Sequence, residues 1–208
     1  MPINYRITAE VVDVRQDSPN STDTFLVDSN VWYWLTYTKA SLVEGYAAKR
    51  RTADYSSFLN KAIAQRAQLC RCGLSLAELA HIIENNERKI FAAKTHCKIE
   101  TKEFRHNYPK ERLNVISEVQ TAWGQVKSMA SPLSILIDSN LTDVAMDRFS
   151  QNTLDAYDIF FLEVMTNNKV PQIITDDGGF ATVPGIRVFT ANQNVITTAK
   201  SQGKFLIR

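Results

Sequence analysis

No apolar run in the 208 residues approaches the roughly 20 that a membrane-spanning helix needs. The start, MPINYRITAEVVDVRQD, alternates polar and apolar residues where a secretory signal would show a basic end and an apolar core, so a soluble, cytoplasmic protein is expected. Cysteine is scarce. Cys70, Cys72 and Cys97 are an odd number that implies no disulfide framework and suits reduced thiols. A zinc site can be drawn from Cys70, Cys72, His96 and Cys97, but CRC and HC lack the usual two-residue gap, and three ordinary thiols are the simpler reading. Internal repeats and low-complexity segments are absent too. What remains is a chain that is 44% hydrophobic, long enough for one sizeable core and a single domain with insertions.

The net charge of +2 hides an uneven distribution. From Lys39 to Arg71 seven basic residues, among them Lys49, Arg50 and Arg51, face two acids, Glu44 and Asp54; from Asp138 to Asp177 eight acids face Arg148 and Lys169. An acidic focus with basic segments elsewhere suits a metal-dependent enzyme acting on a polyanion, since metals need carboxylates and phosphates need lysine and arginine. Solvated helix faces produce the same asymmetry.

Residues 5–14, YRITAEVVDV, read as a strand of an N-terminal extension spanning 1–23, which ends in the loop DSPNSTD. TFLVD, 24–28, is a short apolar run of the kind buried on both faces of a sheet, followed by a helix carrying Val31, Trp32 and Leu35. Helical spacing recurs from Asp54 to Leu69, with Gly73 placed as a helix end. SLAELAHIIENN starts another helix at Ser75, and 87–112 looks like an exposed basic insertion. The segment 111–130 resumes a helical pattern through Leu113, Ile116, Val119, Trp123 and Val126. SILID (134–138), QIITDD (172–177) and GIRVFT (185–190) are further strands, separated by helices near 141–150 and 154–167, with a terminal helix closed by Gly203. Strands too far apart for hairpins imply crossovers, hence an α/β fold: a mostly parallel central sheet between two helical layers, with a helical insertion.

Ligands of such sheets bind beyond the carboxyl ends of the strands. Asp28 and Asp177 stand at two such ends, although Asp also caps helices and TDDGG is good turn chemistry. Glu78 sits in Ser75-Leu76-Ala77-Glu78, which is itself a capping box. Asp155 and Asp158 share one helix face, on a helix whose apolar stripe is Leu154, Tyr157, Phe161 and Met165; acids in a first turn also complement the helix dipole. Each acid alone has a structural explanation. As a set they suggest converging carboxylates, whose repulsion a divalent cation resolves, and hard oxygen ligands select Mg2+ or Mn2+.

This order of motifs resembles the PIN domain family of metal-dependent ribonucleases. The matching pieces are VDSN (27–30), SLAELAH (75–81), LDAYDIFFLEVM (154–165) and IITDDGGFATVPGIRVFT (173–190), the last fitting a Thr-x-Asp-x-x-Phe signature through Thr175, Asp177 and Phe180. The resemblance covers most of residues 24–190 and makes 24–208 the PIN-like domain, with the basic insertion at about 87–112 and the extension unaccounted for. It implies metal ligands, and so catalytic residues, at Asp28, Glu78, Asp158 and Asp177, with support from Asn30 and Thr175 and with Asp155 and Asp176 as substitutes. The 80-residue gap between Glu78 and Asp158 looks longer than in compact members, and His81 is placed for a supporting role or as a half-buried helix residue. The resemblance further implies hydrolysis of RNA to 5′-phosphate and 3′-hydroxyl ends, with Lys49, Arg50, Arg51 and the lysines of 87–112 as phosphate contacts. A role as the toxin of a toxin-antitoxin pair, bound by an antitoxin protein, and a homodimer are implied on the same ground. The alternatives are a PIN-like RNA-binding or scaffold module without catalysis, and other α/β enzymes. A haloacid dehalogenase-type phosphatase would want Asp where Asn30 stands, and a receiver domain would want its acidic pair early in the chain.

Overall fold

The computed structural model describes residues 3–208, with residues 41–48 followed by backbone alone, so Met1, Pro2 and the Glu44 side chain fall outside the described part. Six strands form one wholly parallel sheet: β1 (Glu10–Asp13), β2 (Thr24–Val27), β3 (Gln68–Arg71), β4 (Ser131–Pro132), β5 (Gln172–Ile174) and β6 (Arg187–Thr190), in the order β1-β6-β5-β2-β3-β4. The helices are α1 (Ser29–Thr36), α2 (Ala40–Ala64), α3 (Gly73–Thr95), α4 (Thr101–Asn107), α5 (Pro109–Met129), α6 (Ser139–Gln151), α7 (Ala156–Asn167) and α8 (Gln193–Ser201).

Strand β2 shows why both faces of the sheet need cover. Phe25 and Val27 point one way and Leu26 the other, and all three are buried. Phe25 and Val27 join Trp32 of α1, Phe58 of α2 and Val126 of α5 in one core, where the rings of Phe25, Phe58 and Phe189 meet at centroid distances of 4.8 to 5.8 Å. Leu26, Cys70, Ile173 and Val188 belong to the opposite core with Phe161, Leu162 and Met165 of α7. The molecule is therefore a three-layer α/β/α fold. The chain runs from β2 through β3 to β4 at one edge, then returns to β5 on the far side of β2. The direction of winding reverses between β2 and β5, so their carboxyl ends form the crevice where parallel sheets bind ligands.

Several expected elements are shifted. The helix expected over 54–69 is α2, which starts at Ala40 and stops at Ala64; Leu69 belongs to β3, a four-residue strand too short to show a period of its own. Arg66, at φ 61°, makes the left-handed turn after α2, and Gly73 opens α3 instead of closing a helix. SILID is not a strand. β4 is only Ser131–Pro132, and because β3 ends at Arg71, residues past Leu133 have no ladder to join; Leu136 is 77% exposed. Leu113, Ile116 and Tyr157 face solvent; α5 buries Val126 as expected, packs Val119 and Trp123 against the core, and adds Val115 and Ala122 to its buried face. The basic segment is anchored by a small cluster of Ile99, Phe104 and Val115, and by Arg105 and Arg112 holding the buried Glu84 carboxylate. The strand expected in the extension is β1, an edge strand paired with β6. Among the described residues no helix is long and apolar enough to cross a membrane.

Candidate functional site

Register places the first two acids. Val27 of β2 lies opposite Ile174 of β5, so the next residues, Asp28 and Thr175, leave the two strand ends side by side. Thr175 Oγ1 donates to Asp28 Oδ2 at 2.6 Å and accepts from the Asp177 N–H at 2.9 Å. Asp28 occupies the N-cap position of α1, yet its side chain makes no capping hydrogen bond. The Asp177 carboxylate is steadied by the Gly179 N–H, at 2.6 Å from Oδ1. Space is tight at Gly179: a Cβ there would lie 3.0 Å from Asp177 Oδ1 and 3.1 Å from Leu154 Cδ2, so those side chains would have to give by a few tenths of an ångström.

Helices deliver the other two. The cap of α3 is Cys72, whose N–H donates to Ser75 Oγ at 3.2 Å, so the capping box is Cys72–Ser75 and Glu78 has no part in it. Glu78 Oε2 and Ser29 Oγ are buried without a hydrogen bond of standard geometry, although the nearby Ser29 hydroxyl still tempers the carboxyl's basicity. At α7, Asp155 is the cap: its Oδ1 accepts from the Asp158 N–H at 2.9 Å. Asp158, one turn in, is buried. The four-acid arrangement thus separates ligand candidates from caps by where each helix begins.

The electrostatics tie the set together. Burial raises Asp28 to about 7, against the lowering bond from Thr175, and the charges of Glu78 and Asp177 push the same way. Burial raises Asp158 to about 9, followed by Asp28, Asp177, Asp155 and Glu78. Burial raises Glu78 as well, with Asp155 and Asp177 adding to it and the His81 side chain opposing. No lysine or arginine forms an ion pair with any of the four among the described residues. A buried, unpaired carboxylate is costly, and here several share one crevice.

Other expected residues stand apart. Asp176 is held by Tyr55, whose hydroxyl donates to Oδ1 at 2.8 Å, and by Arg51 at 3.4 Å, and Asp155 serves as the cap of α7. Asn30 makes no hydrogen bond to the acids. His81 is exposed, not half-buried. Cys70 and Cys72 are buried near the start of α3 and Cys97 is exposed beyond its far end, roughly 34 Å away for a helix of 23 residues. They form no zinc set. Among the described residues no three His, Cys, Asp or Glu side chains stand together in a group able to hold a metal ion as placed. Sequence reasoning missed Tyr5, whose ring packs on Gly178 beside Asp177, because nothing in the pattern of the extension signals a contact across more than 170 residues. Neither a protein-family model nor a curated protein matches the chain.

Proposed function

We propose that the chain is a PIN-type, metal-dependent endoribonuclease whose Asp28, Glu78, Asp158 and Asp177 hold Mg2+ or Mn2+. The observation that carries the reading is the unpaired carboxylate set at the switch point, where burial and mutual repulsion raise Asp28, Glu78 and Asp158. The donor set fits a hard divalent cation, and the orphaned Glu78 Oε2 is a ready ligand oxygen. When bound, such a cation supplies the charge and Lewis acidity that phosphodiester hydrolysis by water needs. The chain's own residues do the positioning. Thr175 fixes Asp28 and the Asp177 backbone to one hydroxyl, Gly179 orients the Asp177 carboxylate, and the Asp155 cap turns the first residues of α7 so that Asp158 enters the crevice. Exposed Lys49 and Arg50 of α2, the second lining a cavity with Asp176, are offered for phosphate contacts.

A second reading, a PIN-like module that binds RNA or serves as a scaffold without cleaving it, draws on the spacing of the acids, which are not gathered into a ligating group. Incubation of purified chain with structured and single-stranded RNAs separates the two. Cleavage that needs Mg2+ or Mn2+, leaves 5′-phosphate ends and falls at least about 100-fold in both Asp28→Asn and Asp158→Asn supports the nuclease. Cleavage surviving both substitutions, or binding with no metal-dependent cleavage, overturns it. The toxin role, with its antitoxin partner, and the homodimer follow from the resemblance alone. Induced expression should arrest growth with the wild-type chain and not with Asp28→Asn.

A further inference from the structure

The N-terminal segment is fixed against the loop after β5 and against helix α8 by hydrogen bonds of its backbone. Thr8 and Ala9 N–H donate to the Ala181 carbonyl at 3.0 and 3.1 Å, and the Gln202 amide accepts from the Ile7 N–H at 2.8 Å while donating to the Tyr5 carbonyl at 2.9 Å. Asn194 Nδ2 donates to the Ile3 carbonyl at 3.2 Å. This course carries the Tyr5 ring onto Gly178, where a Cβ would lie 2.3 Å from Cζ and 2.5 Å from the hydroxyl oxygen. The Gly-Gly pair of TDDGG thus serves close approach on both sides: Gly178 admits Tyr5 and Gly179 admits the Asp177 carboxylate.

Beside them opens a cleft of about 700 Å³ lined by Asn4, Tyr5, Arg6, Gln151, Asn152 and Asp177, among others. Its size is within the roughly 300–1,000 Å³ of small-ligand sites. Its chemistry differs from that of the other clefts. In the cavity of about 480 Å³ near α2 and α8, Arg15 and Arg51 are tied to Asp13 and Asp176; of the lining arginines Arg50 alone has no ion pair among the described residues, and the described lining holds no aromatic ring. In the cleft of about 410 Å³ over α3 and α5, Arg105 and Arg112 are tied to Glu84. Here the side chains of Asn4, Arg6 and Gln151 have no hydrogen-bond or ion-pair partner among the described residues, and Asn152 uses only its Nδ2, on the Arg148 carbonyl. Carboxamides offer the donor-acceptor pairs that read base edges, an aromatic ring offers a stacking platform, and a free guanidinium suits a phosphate.

We infer that this cleft is a nucleobase-reading subsite for single-stranded RNA, in which Tyr5 stacks the base next to the scissile phosphate and Asn4, Gln151 and Asn152 read its edge. The inference deepens the ribonuclease reading and gives the N-terminal segment its role. It is tested by fluorescence anisotropy of four homopolymeric RNA oligomers, with magnesium, on the full chain carrying Asp158→Asn, alone and combined with Tyr5→Ala, Tyr5→Phe, Gly178→Ala or Gln151→Ala. Tyr5→Ala should weaken binding at least about fivefold, Tyr5→Phe should restore it, and Gly178→Ala should mimic Tyr5→Ala by displacing the ring. Gln151→Ala should narrow the spread of affinities among the four oligomers. Melting curves confirm that each variant is folded. Unchanged affinities in folded Tyr5→Ala and Gly178→Ala, or no RNA binding by any version, would overturn the subsite. Parallel cleavage assays on the otherwise wild-type chain keep the two readings apart: Tyr5-dependent binding without cleavage leaves the subsite standing and removes the nuclease, whereas cleavage with Tyr5-independent binding does the reverse.

Discussion

The Thr175 hydroxyl is buried, donates to Asp28 Oδ2 and accepts from the Asp177 N–H, so two proposed ligands from neighbouring strand ends depend on one small side chain. Thr175→Val keeps the shape and removes both bonds. It should cost about 1–3 kcal/mol in urea unfolding and reduce cleavage more than tenfold, while Thr175→Ser retains both properties. Asp158 behaves in the opposite way, because its charge is opposed by burial and by Asp28, Asp177, Asp155 and Glu78. Asp158→Asn should therefore raise the stability of EDTA-treated protein by about 1–2 kcal/mol, roughly 2–8 °C in melting temperature, while abolishing cleavage. A melt that drops instead would mean that Asp158 is a structural residue. Among residues, the sequence singled out Asp28, Glu78, Asp158 and Asp177 and left their structural alternatives open. Which acid caps and which faces the crevice turns on one-residue details of helix starts, Cys72 against Ser75 and Asp155 against Asp158, that composition does not reveal.

At the level of elements, helix α3 carries Glu78 into the site only because it begins two residues before Ser75. Ser75→Ala should cost about 1 kcal/mol by removing the acceptor for the Cys72 N–H, whereas Glu78→Gln, having no capping bond to lose, should leave stability unchanged or higher in a thermal melt. The α/β class was legible from apolar runs alternating with helical stretches, since β2, β5 and β6 fall within the runs read as strands. β3 and β4 were not legible: they have four and two residues, and their existence follows from pairing with β2 and with each other. SILID illustrates the reverse error, an apolar run whose neighbour strand ends too soon to pair with it. Arg66 supplies a third case, a left-handed position at φ 61° filled by a residue that gives no turn signal; Arg66→Gly should stabilise the chain by about 0.5–1 kcal/mol in urea unfolding.

For the whole molecule, charge placement sets the response to pH. From the ordinary carboxyl value near 4 up to about 7 for Asp28 and about 9 for Asp158, the folded chain binds protons that the unfolded chain does not. Stability of the EDTA-treated protein therefore falls as pH rises through that window. Asp13, Asp23 and Glu84 work in the other direction. Burial opposes the ionised forms of Asp13 and Asp23, but Arg15 and Arg208 outweigh it, and Arg105 holds Glu84 low, so their contribution is lost as pH falls below about 4. Urea midpoints in EDTA should peak near about pH 5 and decline toward about pH 9, and saturating Mn2+ should flatten the alkaline decline. The strand order, the reversal between β2 and β5, and the reach of Tyr5 to Asp177 belong to this scale, and each depends on contacts between distant residues that local pattern does not encode. The claim that four distant acids share one cation is tested most directly by calorimetric titration of Mn2+ into the wild-type chain, Asp28→Asn and Asp158→Asn at neutral pH. Saturable binding with proton release is expected in the wild-type protein and its loss in both variants; equal heats in all three would rule out the shared cation.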